Sequence, residues 1–246
     1  MQKSKQYVLI NAFPLKEIFA FAGVFLGVLI FLFPAGDIEK RVLQEEDANL
    51  DLSIMYLENI TRIHKSPAIF EALVERYAKK GDYVRASESI NELKRLFPSE
   101  KSSYLRGEYA ILKSMYFSTY DKQKRADLIA KMENILNDAV LTTNDEKFVY
   151  WALKESIYID SFNTTLVSVK KLFSLTKQQK WLQFAVDYAI AHSKYKVAQS
   201  LIEEYVTYCS DTDCAKFIIK SALATGDPGF AADISMKIAK KGDLIQ

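Results

Sequence analysis

Two cysteines, two histidines, eight glycines and five prolines are all that 246 residues contain of these types. Each shortage excludes something. His64 and His192 stand far apart, without Cys or carboxylate neighbours at ligand spacing, so no metal site is expected. The glycine-rich phosphate motifs G-x-x-x-x-G-K-[ST] and G-x-G-x-x-G are missing, as is the nucleophile elbow G-x-S-x-G. The sequence therefore offers no catalytic centre, cofactor site or metal site, and a non-enzymatic role is expected. Few glycines and prolines, with β-turn dipeptides scarce, argue against an all-β fold and for an all-α one. Excess charge of one sign is also missing. Setting aside three basic and one acidic residue before position 37 leaves thirty of each. The body has no basic field for nucleic acid.

Long apolar runs are scarce too, with one exception. Ile18 to Gly36 holds nineteen residues without a charge, twelve of them Leu, Ile, Val or Phe. A helix of that length reaches about 28 Å, roughly one hydrocarbon thickness. It is apolar on every side, whereas a soluble core helix keeps a polar stripe. Phe33-Pro34-Ala35-Gly36-Asp37 lacks the small-residue pattern of a signal cleavage site. The run reads as a transmembrane helix at 18–36, after a short segment 1–17 and before an acidic juxtamembrane segment 37–49. Lys3, Lys5 and Lys16 precede it against the single acid Glu17, and Asp37, Glu39, Glu45, Glu46 and Asp47 follow with Lys40 and Arg41 among them. The positive-inside bias puts residues 1–17 in the cytoplasm and the body across an inner membrane, in the bacterial periplasm. Gly23 and Gly27 form a G-x-x-x-G through which two anchors could approach as a homodimer.

The body, 50–246, shows helical periodicity in pairs. The clearest is Pro67 to Pro98, two helices of about fourteen residues meeting at Lys80-Gly81-Asp82. Phe70, Leu73, Val74 and Tyr77 share one face of the first helix. Ala86, Ile90, Leu93 and Phe97 share one face of the second. Gly81 suits a left-handed helix end, and Asp82 a cap. This pair resembles a tetratricopeptide repeat, with Phe70, Leu73, Tyr77, Ala86, Ile90 and Pro98 at signature positions and Val74 and Leu93 departing from them. Looser pairs run over 103–117 and 121–140, and over 143–159 (opened by a Thr143-x-x-Glu146 capping box) and 165–175. Two more fall around Trp181 to Tyr205 and from Cys214 onward, where Gly226-Asp227 repeats the junction and Ala231 takes the place of Ala86. With Leu50 to Ile63 ahead of them, about eleven helices are expected to stack as an α-solenoid.

Three groups of residues stand out. Glu71, Glu75 and Lys79 form a ladder on the face that lines the concave groove in the repeat family, where partner proteins dock. The alternative is a solvated face with one helpful ion pair. Cys209 and Cys214, with four residues between them and lying between two helices, could close a disulfide in an oxidising compartment, or remain two core thiols that never meet. Tyr104, Tyr109, Tyr116, Phe117 and Tyr120, then Phe148, Tyr150, Trp151, Tyr158 and Phe162, are read as core packing. A sugar-binding face would use rings in the same way.

The stretch PLKEIFAFAGVFLGVLIFLFPAGDIEKRVLQEEDANLDLSIMYLENI is similar to the start of the periplasmic repeat scaffold of bacterial Pel exopolysaccharide export. The shared features are an anchor, an acidic segment and an Asp51-Leu52-Ser53-x-x-Tyr56-Leu57 helix. The resemblance implies a non-enzymatic scaffold in biofilm-matrix export that docks a polysaccharide deacetylase or hydrolase. Large members of that family end in an outer-membrane β-barrel. This chain has no room for one, so a separate barrel would complete the pore. A periplasmic adaptor or chaperone at the protein translocon is the competing expectation.

Overall fold

A computed structural model describes residues 15–32 and 49–242. Among these, twelve α-helices and no strands occur. They are α1 (Leu15–Leu32), α2 (Leu50–Ile63), α3 (Pro67–Lys80), α4 (Tyr83–Leu96), α5 (Lys101–Ser118) and α6 (Lys122–Thr142). Then follow α7 (Glu146–Tyr158), α8 (Phe162–Thr176), α9 (Lys180–Ala191), α10 (Tyr195–Tyr208), α11 (Thr212–Ala224) and α12 (Pro228–Gly242). From α3 onward they pair as successive antiparallel hairpins, each packed on the next, with α2 at the open end against α3. The expected all-α solenoid, with eleven helices after the first, is what the described residues form.

Local chemistry sets the helix ends. Asn49, Ser66, Asp82, Asp121, Asp145 and Asp211 each accept a backbone N–H of their helix's first turn. The residue that turns the first helix of a hairpin into the second is left-handed in four of the five hairpins. Gly81 (φ 82°), Asp160 (φ 55°), Ser193 (φ 56°) and Gly226 (φ 75°) hold these places. The exception is the junction from α5 to α6, where Thr119 is extended. The cap of α7 is a correction. Thr143 does not close a capping box with Glu146; Asp145 caps the helix, and the Thr143 hydroxyl accepts the Asp145 N–H instead. Asp145 lies closer to the helix, and its carboxylate reaches the Lys147 N–H at 2.9 Å.

The apolar residues gather into two clusters. One holds Ile54, Leu57, Leu73, Ala86 and Ile90 with Ile111 of α5. The other starts at Leu105 and Tyr109 of the same helix and runs through Leu136, Phe148, Leu172, Ile202 and Ile218 to Ile234. Gly107 lies between these faces. A Cβ there would stand 3.2 Å from Val74 Cγ1 and 3.3 Å from Ile90 Cγ1, so a hydrogen at this position lets α5 sit close on α3 and α4.

α1 differs from the expected span. Lys16 and Glu17 lie within it, leaving fifteen uncharged residues from Ile18 to Leu32, about 22 Å of helix against the ~30 Å of a hydrocarbon layer. No helix among the described residues is long and apolar enough to cross a membrane. Residues 33–36 of the expected span lie outside the described residues, as do most of 1–17, all but Asn49 of 37–49, and 243–246. Phe19, Phe21, Val24, Phe25 and Leu26 of α1 are all exposed.

Candidate functional site: a concave groove

The first helices of successive hairpins line one side of the stack, and long side chains stand between them. α3 packs closely on α5, whereas α5 meets α7 through side chains. The result is a groove of about 610 Å³, with Glu71, Glu75 and Lys79 on one wall and Trp151 and Glu155 on the other. Arg106, Tyr109 and Lys113 form its middle. Glu71, Glu75 and Lys79 thus share a concave surface with residues of two later helices.

Two ion pairs cross the groove. Arg106 Nη1 lies 3.5 Å from Glu71 Oε1, and Lys113 Nζ lies 2.7 Å from Glu155 Oε2. Arg106 also sits over a stacked aromatic pair, its guanidinium carbon 5.4 Å from the Phe148 ring centre and 5.6 Å from that of Trp151. The two rings are 5.1 Å apart and nearly parallel, and Tyr109 meets Trp151 edge-on at 5.5 Å. Such a cation–π stack holds the guanidinium plane in one orientation. Lys113 covers the Tyr158 ring at 4.4 Å, and Tyr158 contacts Phe117.

Burial sets the electrostatics here. It pushes the Glu71 carboxyl above its ordinary value, with Arg106 and Ser103 opposing. Burial also raises the Tyr109 phenol, helped by the Glu155 carboxylate, so this group stays protonated. Arg106 Nε is buried without a hydrogen bond, whereas the Tyr109 hydroxyl faces the Glu155 carboxylate. An acceptor entering the groove would satisfy the Arg106 N–H. Aromatic walls, fixed cations and a buried N–H without an acceptor suit binding of an acceptor-rich chain. Among the described residues no group of three or more His, Cys, Asp or Glu could hold a metal ion.

The core reading of the aromatic residues needs correction. Tyr109 and Phe148 are buried, and Tyr104, Tyr116, Trp151 and Phe162 pack partly against the core. Phe117, Tyr120, Tyr150 and Tyr158 are exposed. Phe148, Trp151, Tyr158 and Phe162 follow one another at helical spacing but do not form a continuous stripe, because α7 ends at Tyr158 and Asp160 reverses the chain. Tyr158 consequently faces the end of α5 instead of the interior. Arg106 and Lys113 were not singled out from sequence. The signal was their spacing: Arg106 stands 35 residues after Glu71, one repeat along.

The other candidates lie elsewhere. Cys209 and Cys214 are joined as a disulfide between α10 and α11, with Cα atoms 5.6 Å apart. Both are buried, and Asp211 between them caps α11 through the Cys214 N–H. Gly23 and Gly27 are exposed on α1, with open space beside each. His192 ends α9, its Nε2 3.2 Å from Asp160 Oδ1 and its ring 4.1 Å from that of Tyr188. His64 is exposed at the end of α2.

Fold and groove together define a class: an all-α stack of helical hairpins with a mixed-charge, aromatic-walled concave surface. No family model matches the chain, and no curated protein matches it. Among solved structures it is similar to a thermophilic TPR protein of Thermus thermophilus, at 13% identity and a TM-score of 0.42. That match covers 71% of this chain and 91% of the other. A likeness at this score carries no argument, and the class rests on the geometry above.

Proposed function

We propose that this chain is a non-enzymatic, tetratricopeptide-type scaffold that docks protein partners in its concave groove. The observation that carries this reading is the groove itself, where Arg106 lies over the Phe148 and Trp151 rings with its Nε buried and without an acceptor, beside the exposed Lys79. A backbone carbonyl of an extended segment would accept from Arg106 Nε, while Trp151 supplies apolar contact.

Anchoring and pathway complete the proposal. The uncharged run of the sequence continues past α1 to Gly36, and the outward apolar side chains of α1 need a non-aqueous neighbour. They support attachment of the N-terminus to a bacterial inner membrane. The bonded Cys209 and Cys214 suit a body on the oxidising, periplasmic side. The Pel-type resemblance of the anchor and of the Asp51-to-Leu57 helix supports a place in exopolysaccharide modification and export.

The test uses the full chain, tagged at its C-terminus, against a co-expressed polysaccharide deacetylase or hydrolase of the same cell. Retention of that enzyme by the parent chain, reduced about tenfold or more by Arg106→Glu or Trp151→Ala, would support the scaffold. No retention, or retention that ignores both substitutions, would sink it. Photocrosslinks from position 79 to translocon subunits would favour the translocon adaptor. Placement is read by maleimide labelling of intact spheroplasts. A periplasmic body labels from outside at an engineered surface cysteine such as Val84→Cys, and a cytoplasmic one only after lysis.

A further inference from the structure

α2 carries two apolar faces and uses one. Ile54 and Leu57 are buried against α3, with Leu50 and Ile60 partly so. Leu52 (45% exposed), Met55 (49%), Tyr56 (46%) and Ile63 (90%) point the other way. Their spacing of three, one and seven keeps them in a single stripe about 100° wide, nearly opposite the buried one. No helix of the described residues closes this end of the stack. Every later helix packs against at least two others, whereas α2 packs against α3. Hairpin stacks normally end in a polar cap, because a terminal apolar face associates.

We infer that this stripe is a homotypic interface: α2 of a second copy lies antiparallel across it. The charges select this occupant. Asp51 in the first turn and Arg62 in the last flank the same edge of the stripe. A two-fold axis running between the two copies of α2, level with the midpoint of Tyr56 and Asn59, sets Leu52 against the partner's Ile63. The same rotation brings Asp51 of each copy to Arg62 of the other. The pattern is therefore self-complementary, as an isologous contact must be. Asp51 already meets Lys80 of its own chain at 2.5 Å, yet three-quarters of its side chain is exposed and open to a second cation. The stripe is small beside the ~1,600 Å² of a standard interface, so the contact is reversible by itself and strengthens when α1 tethers two copies side by side.

The full chain in a nonionic detergent tests this by sedimentation velocity across a concentration series, with cysteine crosslinking. Asn59→Cys lies about 5 Å along the helix from its own symmetry mate and is expected to give a covalent dimer on mild oxidation. Val84→Cys, exposed on α4, is expected to give none. Met55→Glu is expected to weaken self-association about tenfold or more, with helicity by circular dichroism unchanged. Asp51→Arg is expected to weaken it too, and adding Arg62→Asp to restore it. A chain monomeric throughout overturns the inference, and so does a dimer indifferent to Met55→Glu, which would belong to α1. Vesicles of phosphatidylcholine that shield the Asn59→Cys thiol of monomeric chains would assign the stripe to lipid instead.

Discussion

The two cores are built differently, and α5 belongs to both. The N-terminal one closes around α3 and α4, two helices of fourteen residues joined by Gly81 and capped by Asp82, with Ala86 at the crossing. The C-terminal one begins with α5 and α6, of eighteen and twenty-one residues, joined through an extended Thr119, and fills its wider spaces with rings. Where small residues meet, helices approach and the surface between them is shallow. Aromatic and cationic side chains between α5 and α7 instead hold the helices apart, and the groove opens there. The groove is thus a consequence of departing from the compact repeat.

The strongest test of two cores is to weaken each in turn. Leu57→Ala and Leu136→Ala both empty fully buried positions, and each is expected to cost about 2–5 kcal/mol. Hydrogen exchange should separate them. Leu57→Ala is expected to deprotect α2 to α4 and spare α8 to α10, and Leu136→Ala the reverse. Identical exchange maps would mean one cooperative core.

A smaller effect is expected at the far end. Reducing the Cys209–Cys214 bond releases a short loop worth about 2 kcal/mol of chain entropy. The denaturation midpoint should fall, with the added exchange confined to α10 to α12. If protection also falls at α3 and α4, the two cores are more tightly coupled than their packing suggests.

The smallest effects compare one turn in the two regions. Gly81→Ala puts a Cβ on a left-handed residue and is expected to cost about 1 kcal/mol. Ser193→Gly removes that conflict at the equivalent turn and is expected to gain about 0.5 kcal/mol net of unfolded-chain entropy. Thermal midpoints moving in the same direction for both would show that the left-handed turn is not what limits either hairpin.

The Pro67–Pro98 hairpin was legible because its information is local. Pro67 begins α3, Gly81 ends it left-handed and Asp82 caps α4, each depending on residues a few positions away. The Thr143 box failed because two nearby oxygens compete for one helix start, and only the backbone path chooses between them. Arg76 shows the same limit. It is almost fully buried, with Nε donating to Ser53 Oγ at 3.2 Å, and no local pattern of the helix marks a buried cation.

Helical periodicity, capping residues and glycine placement determined the all-α class, the pairing of helices and the presence of Glu71, Glu75 and Lys79 on one face. These follow from interactions that span one or two turns, which the chain carries within itself. Only the tertiary structure decided that Arg106 would lie across from Glu71, that Lys113 would reach Glu155, and that the core would divide within α5. Those outcomes depend on how far apart successive hairpins settle. That distance is set by packing of side chains 35 to 42 residues apart, and no local pattern encodes it.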